Sequence, residues 1–249
     1  MVGICFIKII FFCPENLRID WFNLNNLFSR YNFKAEIASL TDVKNGVYFD
    51  SRTVVENGAS YKTRTYKGKL VKKKDPQEVA IIAERIKRID VDVLAVQEVE
   101  DRDTLREFNA NVLDNMYPFI GLIEGNDPRL IDVGVLSKFP IGEMTSWQHT
   151  VHPDDPKKPI FSRDVLEVEI LTSSRSEVLF TLFNNHLKSH FVDFRKDPKL
   201  DERMNNITRQ RQAEMLARII KRQTSKDGPY IVLGDMNDAA DSVYLSPLV

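Results

Sequence analysis

The segment that most constrains the fold is a predicted helix followed almost at once by an apolar strand. Asp75 and Pro76 begin this helix as N-cap and first-turn residues, and Glu78 completes a capping box. Five apolar residues at helical spacing give the helix one buried face: Val79, Ile82, Ala83, Ile86 and Ile89. Residues 91–96 are then nearly continuously apolar, which is typical of a strand covered on both faces. Such a strand favours a layered α/β fold.

Further strands and helices are predicted along the rest of the chain. The strands cover residues 17–23, 133–136, 166–170, 178–183 and 230–233. A second helix is capped by Asp103, and a third spans residues 208–222. The sequence has no internal repeat, low-complexity tract or linker. We therefore predict one domain over residues 17–249, preceded by an apolar extension at residues 1–16.

The charge balance limits the classes of partner. The 249 residues include 35 Lys plus Arg and 36 Asp plus Glu, for a net charge of −1. Proteins that coat a polyanion without sequence preference usually carry an excess of basic residues. Any phosphate chemistry must therefore come from a local site. A run of lysines at positions 67, 69, 72, 73 and 74 is interpreted as a solvated face, with a phosphate-facing patch as the alternative.

The N-terminal segment indicates where in the cell the protein is expected to reside. Residues 1–12 are apolar apart from Lys8, which is far short of the roughly 20 apolar residues of a membrane-spanning helix. A signal peptide would have a basic first region and a small-x-small cleavage site, and both are missing from this segment. Cys5 and Cys13 are too few for a disulfide framework or a metal cage. We predict no transmembrane segment and a cytoplasmic location, with export as the alternative.

Polar side chains that bind metals or phosphate follow four of the predicted strands: Asn23, Asn25, Glu98, His186, Asp235 and Asn237. In layered α/β folds, ligand sites form where strand ends and their loops converge. A carboxylate with amide oxygens nearby suits a hard cation such as Mg²⁺. A histidine beside them can donate to a phosphate oxygen, and an Asp with an Asn can orient a water molecule or a leaving group.

Four sequence strings add a family resemblance. They are FNLNNLF at 22–28, DVLAVQEV at 92–99, NNHLKS at 184–189 and VLGDMND at 232–238. In this order they resemble motifs of the endonuclease/exonuclease/phosphatase superfamily, the DNase-like group of metal-dependent phosphoesterases. Residues 129–139 also resemble the middle strand of that family, in which an arginine in the position of Arg129 often lies near substrate phosphate.

The resemblance implies a DNase I-like four-layer α/β sandwich, with two central β-sheets face to face and helices outside. It implies hydrolysis of a phosphodiester or phosphomonoester with Mg²⁺, or with Mn²⁺ as the alternative. By motif position, Glu98 would be the principal metal ligand, with Asn25 and Asn23 beside it. Asn25 stands where many members carry an acid, so metal affinity would be weaker or mediated by water.

The remaining motif positions imply catalytic and substrate-binding roles. His186 would bind or polarise the scissile phosphate, while Asp235 and Asn237 would position the attacking water or stabilise the transition state. Substrate binding is assigned to three side chains: Arg129, Asn184 and Lys188. The expected partner is a phosphate ester, with nucleic acid among the options.

The sequence also departs from the family pattern after Asp235. The family's last motif, an Asp and then Ser-Asp-His, has no counterpart before Val249. We expect a truncated or remodelled member that lacks the last strands of its second sheet, and self-association through the exposed sheet edge. The alternative function is that of a catalytically inactive member acting as a binding module. A zinc site built on His149 with His152, or on His186 with His190, is the third hypothesis.

Overall fold

A computed structural model of the chain describes most of the predicted domain. The described residues are 17–28, 52–56, 59–63, 65–66, 69–70, 74–127, 129–195, 197–223 and 228–248. The predicted extension at residues 1–16 lies outside them, as do three of the five lysines of the run, Lys67, Lys72 and Lys73. No helix within the described ranges is both long and apolar enough to cross a membrane.

Three α-helices, a 3₁₀ helix at Ser246–Leu248 and fourteen strands make up the described structure. The helices are α1 (Pro76–Ile89), α2 (Arg102–Asn111) and α3 (Pro198–Gln223). The strands are β1 (Ile19–Leu27), β2 (Arg52–Glu56), β3 (Ala59–Thr63), β4 (Thr65–Tyr66), β5 (Lys69–Leu70), β6 (Val93–Val99), β7 (Phe119–Leu122), β8 (Asp132–Ser137), β9 (Ile141–Ser146), β10 (Val151–His152), β11 (Asp155–Pro159), β12 (Val165–Leu171), β13 (Val178–His186) and β14 (Tyr230–Asp235).

The longer strands form two four-stranded sheets. The first has the order β1-β6-β8-β7, with β1 parallel to β6 and the other pairs antiparallel. The second has the order β14-β13-β12-β9, with β13 parallel to β14. The pairs β2-β3, β4-β5 and β10-β11 are separate two-stranded sheets. β14 forms one edge of the second sheet as described, and self-association through such an edge stays a prediction.

Side chains on β6 alternate between the two sides of the first sheet. Val93 and Ala95 pack between the two sheets, against residues of β8, β12 and β13. Leu94 and Val96 face the opposite side, where they pack in a cluster with α1 and α2. A third cluster joins α3 to β13 and β14 on the outside of the second sheet. The order helix, sheet, sheet, helix confirms the predicted four-layer α/β sandwich.

The start of α1 shows the expected cap in part. The Asp75 carboxylate accepts a hydrogen bond from the backbone N–H of Gln77 at 2.8 Å, and Pro76 occupies the first turn. Glu78 does not close a capping box. Its carboxylate instead forms an ion pair at 3.2 Å with Lys74 Nζ, so that part of the prediction is wrong.

The other two helices begin at different residues from those predicted. The cap of α2 is Asp101 rather than Asp103, because the Asp101 carboxylate accepts the Thr104 N–H at 2.8 Å. α3 begins at Pro198, well before residue 208. Its buried face includes polar side chains, which a search for apolar periodicity does not detect. These are Asn205, Arg209 and Gln212.

Candidate functional site

The ends of parallel strands from both sheets converge on one cluster of polar side chains. In the second sheet, His186 and Asp235 form the last register pair of β13 and β14. From the first sheet, Asn23 Nδ2 donates a hydrogen bond to Asp235 Oδ2 at 3.0 Å. His186 Nε2 lies 3.9 Å from Glu98 Oε1 and 3.9 Å from Asp235 Oδ2. The structure therefore brings these four predicted site residues together.

Glu98 reaches this cluster from a β-bulge. Gln97 pairs with Val133 and Val99 pairs with Asp132, so Glu98 is an extra residue in β6. Its φ of 60° lies in the left-handed region, which is uncommon for a non-glycine residue. The Glu98 Oε2 atom accepts the backbone N–H of Asn26 at 3.1 Å. The bulge and this hydrogen bond fix the direction of the Glu98 carboxylate.

Asn25 lies in the irregular end of β1, also with a positive φ, of 51°. Its backbone N–H donates to Asn23 Oδ1 at 2.8 Å. Its carbonyl accepts a hydrogen bond from Lys74 Nζ at 2.6 Å, and the Lys74 side chain is only 4% exposed. The solvated-face interpretation of the lysine run is therefore wrong for Lys74, which holds the backbone of Asn25 in place.

His186 is a buried imidazole whose surroundings favour the neutral ring. Burial lowers its pKa well below the usual value, and the positive charges of Arg163 and Arg129 lower it further. The Nδ1 atom is buried without a hydrogen-bond partner among the described residues. Since Nε2 points toward the carboxylates of Glu98 and Asp235, this nitrogen is the one available for a ligand at the site.

Asp235 and Asn237 are held by the loop that follows β14. The Asp235 Oδ1 atom accepts the backbone N–H of Asn237 at 2.9 Å. The Asn237 Nδ2 atom donates to the carbonyl oxygen of Leu187 at 3.0 Å. Asn237 itself has a φ of 52°. The side chain of Asn237 is thus anchored to the residue that follows His186.

Arg163 is a buried residue of this region that the sequence analysis did not identify. It precedes β12, whose antiparallel register places Val165 opposite Asn185, so Arg163 lies near Leu187. Its Nη2 atom donates to the Leu187 carbonyl at 2.6 Å. No motif marks this arginine, and only the antiparallel pairing of β12 with β13 would have placed it near the site.

Arg129 and Lys188 lie within electrostatic range of the same cluster. The Arg129 guanidinium makes two hydrogen bonds to the Asp127 carboxylate, at 3.0 and 2.8 Å. Arg163 Nη1 lies 3.6 Å from the same carboxylate. Burial lowers the pKa of Lys188, and the charges of Arg163 and Arg129 lower it further. The charge of Arg129 thus acts on both His186 and Lys188, and Lys188 is two residues from His186 along the chain.

Asn184 is not placed where it can contact a substrate. It is 0% exposed, and its Oδ1 atom accepts a hydrogen bond from Gln97 Nε2 at 2.7 Å. Its Nδ2 atom donates to the carbonyls of Val96 at 3.1 Å and Gly134 at 2.8 Å. We therefore correct the predicted substrate-binding role: Asn184 joins the second sheet to the first.

The donor set fits a hard cation only if amide oxygens take part. No group of three or more His, Cys, Asp and Glu side chains in the described part of the chain is placed to hold a metal ion. The Glu98 and Asp235 carboxylates and the amides of Asn23 and Asn25 are oxygen donors, which Mg²⁺ prefers. Asn23 already uses both ends of its amide, toward Asp235 and Asn25, so it contributes less than Glu98.

Two of the four histidines of the zinc hypothesis have other partners. His152 Nε2 lies 3.0 Å from Glu214 Oε2, and its Nδ1 accepts the Asp154 N–H at 3.1 Å. His190 Nδ1 lies 3.1 Å from a guanidinium nitrogen of Arg209. Neither predicted histidine pair is assembled as zinc ligands in the described residues.

Two face-to-face sheets with helices outside, and with polar strand ends gathered at one edge, define this protein as a DNase I-like α/β sandwich. Comparison with family models identifies the group within that class. The chain belongs to the Endonuclease/Exonuclease/phosphatase family, whose model matches residues 57–248. The motif with Asn23 and Asn25 precedes the matched range. The predicted family and fold class are confirmed.

No curated protein matches the chain significantly, but several solved structures resemble it. A truncated TDP2 from Caenorhabditis elegans has 17% identity and a TM-score of 0.43, over 66% of this chain and 56% of that one. ANGEL2, a 2',3'-cyclic phosphatase, has 19% identity and a TM-score of 0.47, over 67% and 46%. The mannosyl-6-phosphatase Bt3783 of Bacteroides thetaiotaomicron has 18% identity and a TM-score of 0.48, over 70% and 61%. The chain thus spans about half the length of these proteins.

Proposed function

We propose that the chain is a metal-dependent phosphoesterase that hydrolyses a phosphodiester or a phosphomonoester. The observation that carries the proposal is the position of His186 Nε2, at 3.9 Å from both Glu98 Oε1 and Asp235 Oδ2. A neutral imidazole between two carboxylates combines a hydrogen-bond donor with oxygen ligands in one site. Membership in the Endonuclease/Exonuclease/phosphatase family supports the same reaction class.

Glu98, with the amide oxygens of Asn25 and Asn23, would hold Mg²⁺, or Mn²⁺ as the alternative. A bound divalent cation would offset the negative charge on the phosphate oxygens. Glu98 is the principal ligand of this set because its carboxylate carries a full charge and its Oε1 atom faces the cluster. The amides of Asn25 and Asn23 carry no net charge, so they attract the cation less strongly than the Glu98 carboxylate does.

The other residues would bind the phosphate and orient the water. The Nε2–H of the neutral His186 donates to a phosphate oxygen. Asp235, held by Asn23 and by the backbone of Asn237, accepts a hydrogen bond from the attacking water. Lys188 and Arg129 supply positive charge toward the substrate. Each of these roles favours the transition state, in which charge grows on the phosphate oxygens.

The charge of the chain bears on the substrate class. A net charge of −1 favours a small phosphate ester over a long nucleic acid as the tightly bound substrate, because polyanion affinity depends on many cation contacts. The positive charge of the site comes from a few side chains, chiefly Arg129, Arg163 and Lys188. A single phosphate group would satisfy them.

The test compares two matched variants on three substrates. Hydrolysis of bis(p-nitrophenyl) phosphate, p-nitrophenyl phosphate and plasmid DNA is followed with Mg²⁺, with Mn²⁺ and with EDTA. We expect metal-dependent turnover that falls at least about 100-fold in Glu98→Gln. Glu84→Gln is the control, since it makes the same change at an exposed position of α1. It should leave the rate unchanged.

Two results would change the proposal. Equal turnover in Glu98→Gln and the wild type would remove Glu98 from the metal site. No turnover by a folded wild-type sample, on any of the three substrates, would favour the alternative of a catalytically inactive binding module. A cooperative thermal unfolding transition establishes that the sample is folded.

A further inference from the structure

Arg163 is a buried cation whose hydrogen bonds lead into the candidate site. Its side chain is 3% exposed, and its Nε atom has no partner among the described residues. Burying a guanidinium is costly unless it is well paired, and a buried donor without a partner adds to that cost. Replacement of a whole buried ion pair by apolar residues is often neutral or stabilising, so stability alone is a weak reason for the presence of the pair of Arg163 with Asp127.

Arg163 is linked to the candidate site through the Leu187 carbonyl oxygen. This oxygen accepts the Arg163 Nη2–H at 2.6 Å and the Asn237 Nδ2–H at 3.0 Å. His186 and Asp235 are the last register pair of β13 and β14, so Leu187 and Asn237 lie where the strands leave the sheet. The Leu187 N–H still donates to the Asp235 carbonyl at 2.9 Å, whereas the Leu187 carbonyl is bound by side chains, and Arg163 joins the segment before β12 to this junction.

We propose that Arg163 is a positioning residue for phosphoester hydrolysis: by fixing the Leu187 carbonyl, it orients the side chain of Asn237 beside Asp235 and His186. This inference rests on the proposed function. Asp127 holds the other side of the Arg163 guanidinium, at 3.6 Å from Nη1. The Arg163 guanidinium is therefore held between the Asp127 carboxylate and the Leu187 carbonyl, and the same carbonyl accepts a hydrogen bond from the Asn237 side chain.

Arg163 also interacts electrostatically with the proposed catalytic groups. The charge of Arg163 contributes to the lowered pKa values of His186 and Lys188. The carboxylates of Glu98 and Asp235 in turn act on the Arg163 guanidinium. The Arg163 guanidinium therefore shares an electrostatic environment with His186, Glu98 and Asp235.

Arg209 offers a matched comparison. It is 0% exposed and donates from Nη1 to the Lys188 carbonyl at 2.8 Å, and from Nε to Asp238 Oδ2 at 2.7 Å. Arg209 therefore binds the carbonyl of Lys188, the residue after Leu187. The Asn237 side chain binds the Leu187 carbonyl instead, so Arg209 and Asn237 share no acceptor. Arg163→Met and Arg209→Met each remove one buried arginine from this segment, so a general effect of that loss would appear in both.

The first measurement reads the orientation of Asn237 without turnover. The side-chain amide of Asn237 is assigned in ¹H–¹⁵N spectra by its loss in Asn237→Asp. We expect these signals to shift or broaden in Arg163→Met, and to move less in Arg209→Met. Unchanged signals in folded Arg163→Met would overturn the proposal. If Arg163→Met does not fold, Arg163→Gln gives the same comparison, because its shorter side chain is not expected to reach the Leu187 carbonyl.

The second measurement is a double-mutant cycle on metal-dependent turnover. Arg163→Met should lower kcat about 10- to 100-fold with little change in KM, since a misoriented group costs rate more than ground-state binding. The reduction should be at least about tenfold greater than that in Arg209→Met. In an Asn237→Ala background, Arg163→Met should cost less than about threefold.

Equal kcat losses in Arg163→Met and Arg209→Met would overturn the positioning role, as would additive effects of Arg163→Met and Asn237→Ala. The two proposals fail in different ways. A folded wild type without turnover rejects the proposed function, and the amide signals of Asn237 then still decide whether Arg163 orients this side chain.

Discussion

His186 Nε2 lies 3.9 Å from Asp235 Oδ2, and the two residues are paired in register at the ends of parallel strands β13 and β14. This distance is too long for a direct hydrogen bond, so the imidazole and the carboxylate do not satisfy one another. Because the backbone ladder fixes both residues, their separation is set by the sheet and not by a loop. Rigid strand ends are suited to hold a substrate group between them.

His186→Ala should lower turnover about 100- to 1,000-fold, because it removes the donor that faces the phosphate. The rate is measured under the metal conditions that are best for the wild type. His149→Ala is the control, since His149 is an exposed histidine on the connection between β9 and β10. Comparable rates in His186→Ala and His149→Ala would contradict the role of His186.

Gly234→Ala should destabilise the fold by about 3 kcal/mol or more. Gly234 lies in β14 with a φ of 130°, and a Cβ atom there would collide with the backbone carbonyl of Asn185. The free energy of unfolding is measured by urea denaturation. Gly228→Ala is the control, because a Cβ at Gly228 meets no atom within 4 Å. Equal stability of the two variants would show that β14 tolerates the side chain.

The apolar runs of the sequence predicted six of the eight strands of the two four-stranded sheets, whereas the four layers were predicted from the family resemblance. The sequence also predicted which polar residues follow those strands. The structure brings His186 and Asp235 together because parallel strands of one sheet end at the same edge, and Glu98 reaches them from β6 of the first sheet, which packs face to face with the second. The catalytic and metal-binding roles of these residues stay predictions.

Two features were beyond sequence reasoning for physical reasons. Arg163 lies in a connection without periodicity, and its contact with Leu187 depends on the antiparallel register of β12 and β13. The motif that contains Asn184 indicates its neighbours along the chain but not the face of the sheet to which its side chain points. Asn184 and His186 are two residues apart on β13, so both side chains face the first sheet, but Asn184 is buried between the sheets whereas His186 lies at the end of the strand, beside Glu98.

Asn184→Ala should lower the free energy of unfolding by about 3 kcal/mol, because the Gln97 amide and two backbone carbonyls lose a buried partner. Asn111→Ala, at the exposed end of α2, should change stability by less than about 0.5 kcal/mol. Urea denaturation measures both. A higher KM in Asn184→Ala, together with wild-type stability, would restore a substrate-binding role for Asn184.

Asp132 and Asp164 make stability depend on pH in the opposite sense to a salt-bridged carboxylate. Burial raises the pKa of each to about 7 from the usual 3.8, and the charges of Glu124 and Asp127 raise that of Asp132 further. The folded state therefore keeps protons that the unfolded state has already released above about pH 4. Since the folded state binds more protons in this range, stability falls as the pH rises from about 4 to about 7.

Asp132→Asn should reduce the loss of stability with rising pH, because an amide in the same position has no carboxylic proton to release. Its Oδ1 atom can still accept the Gly125 N–H, which Asp132 accepts at 2.8 Å. Between pH 5 and pH 8 the variant should lose about 2 kcal/mol less of its free energy of unfolding than the wild type. Urea denaturation at the two pH values measures the difference. Parallel losses in the variant and the wild type would mean that Asp132 is ionised in the folded protein well below pH 7.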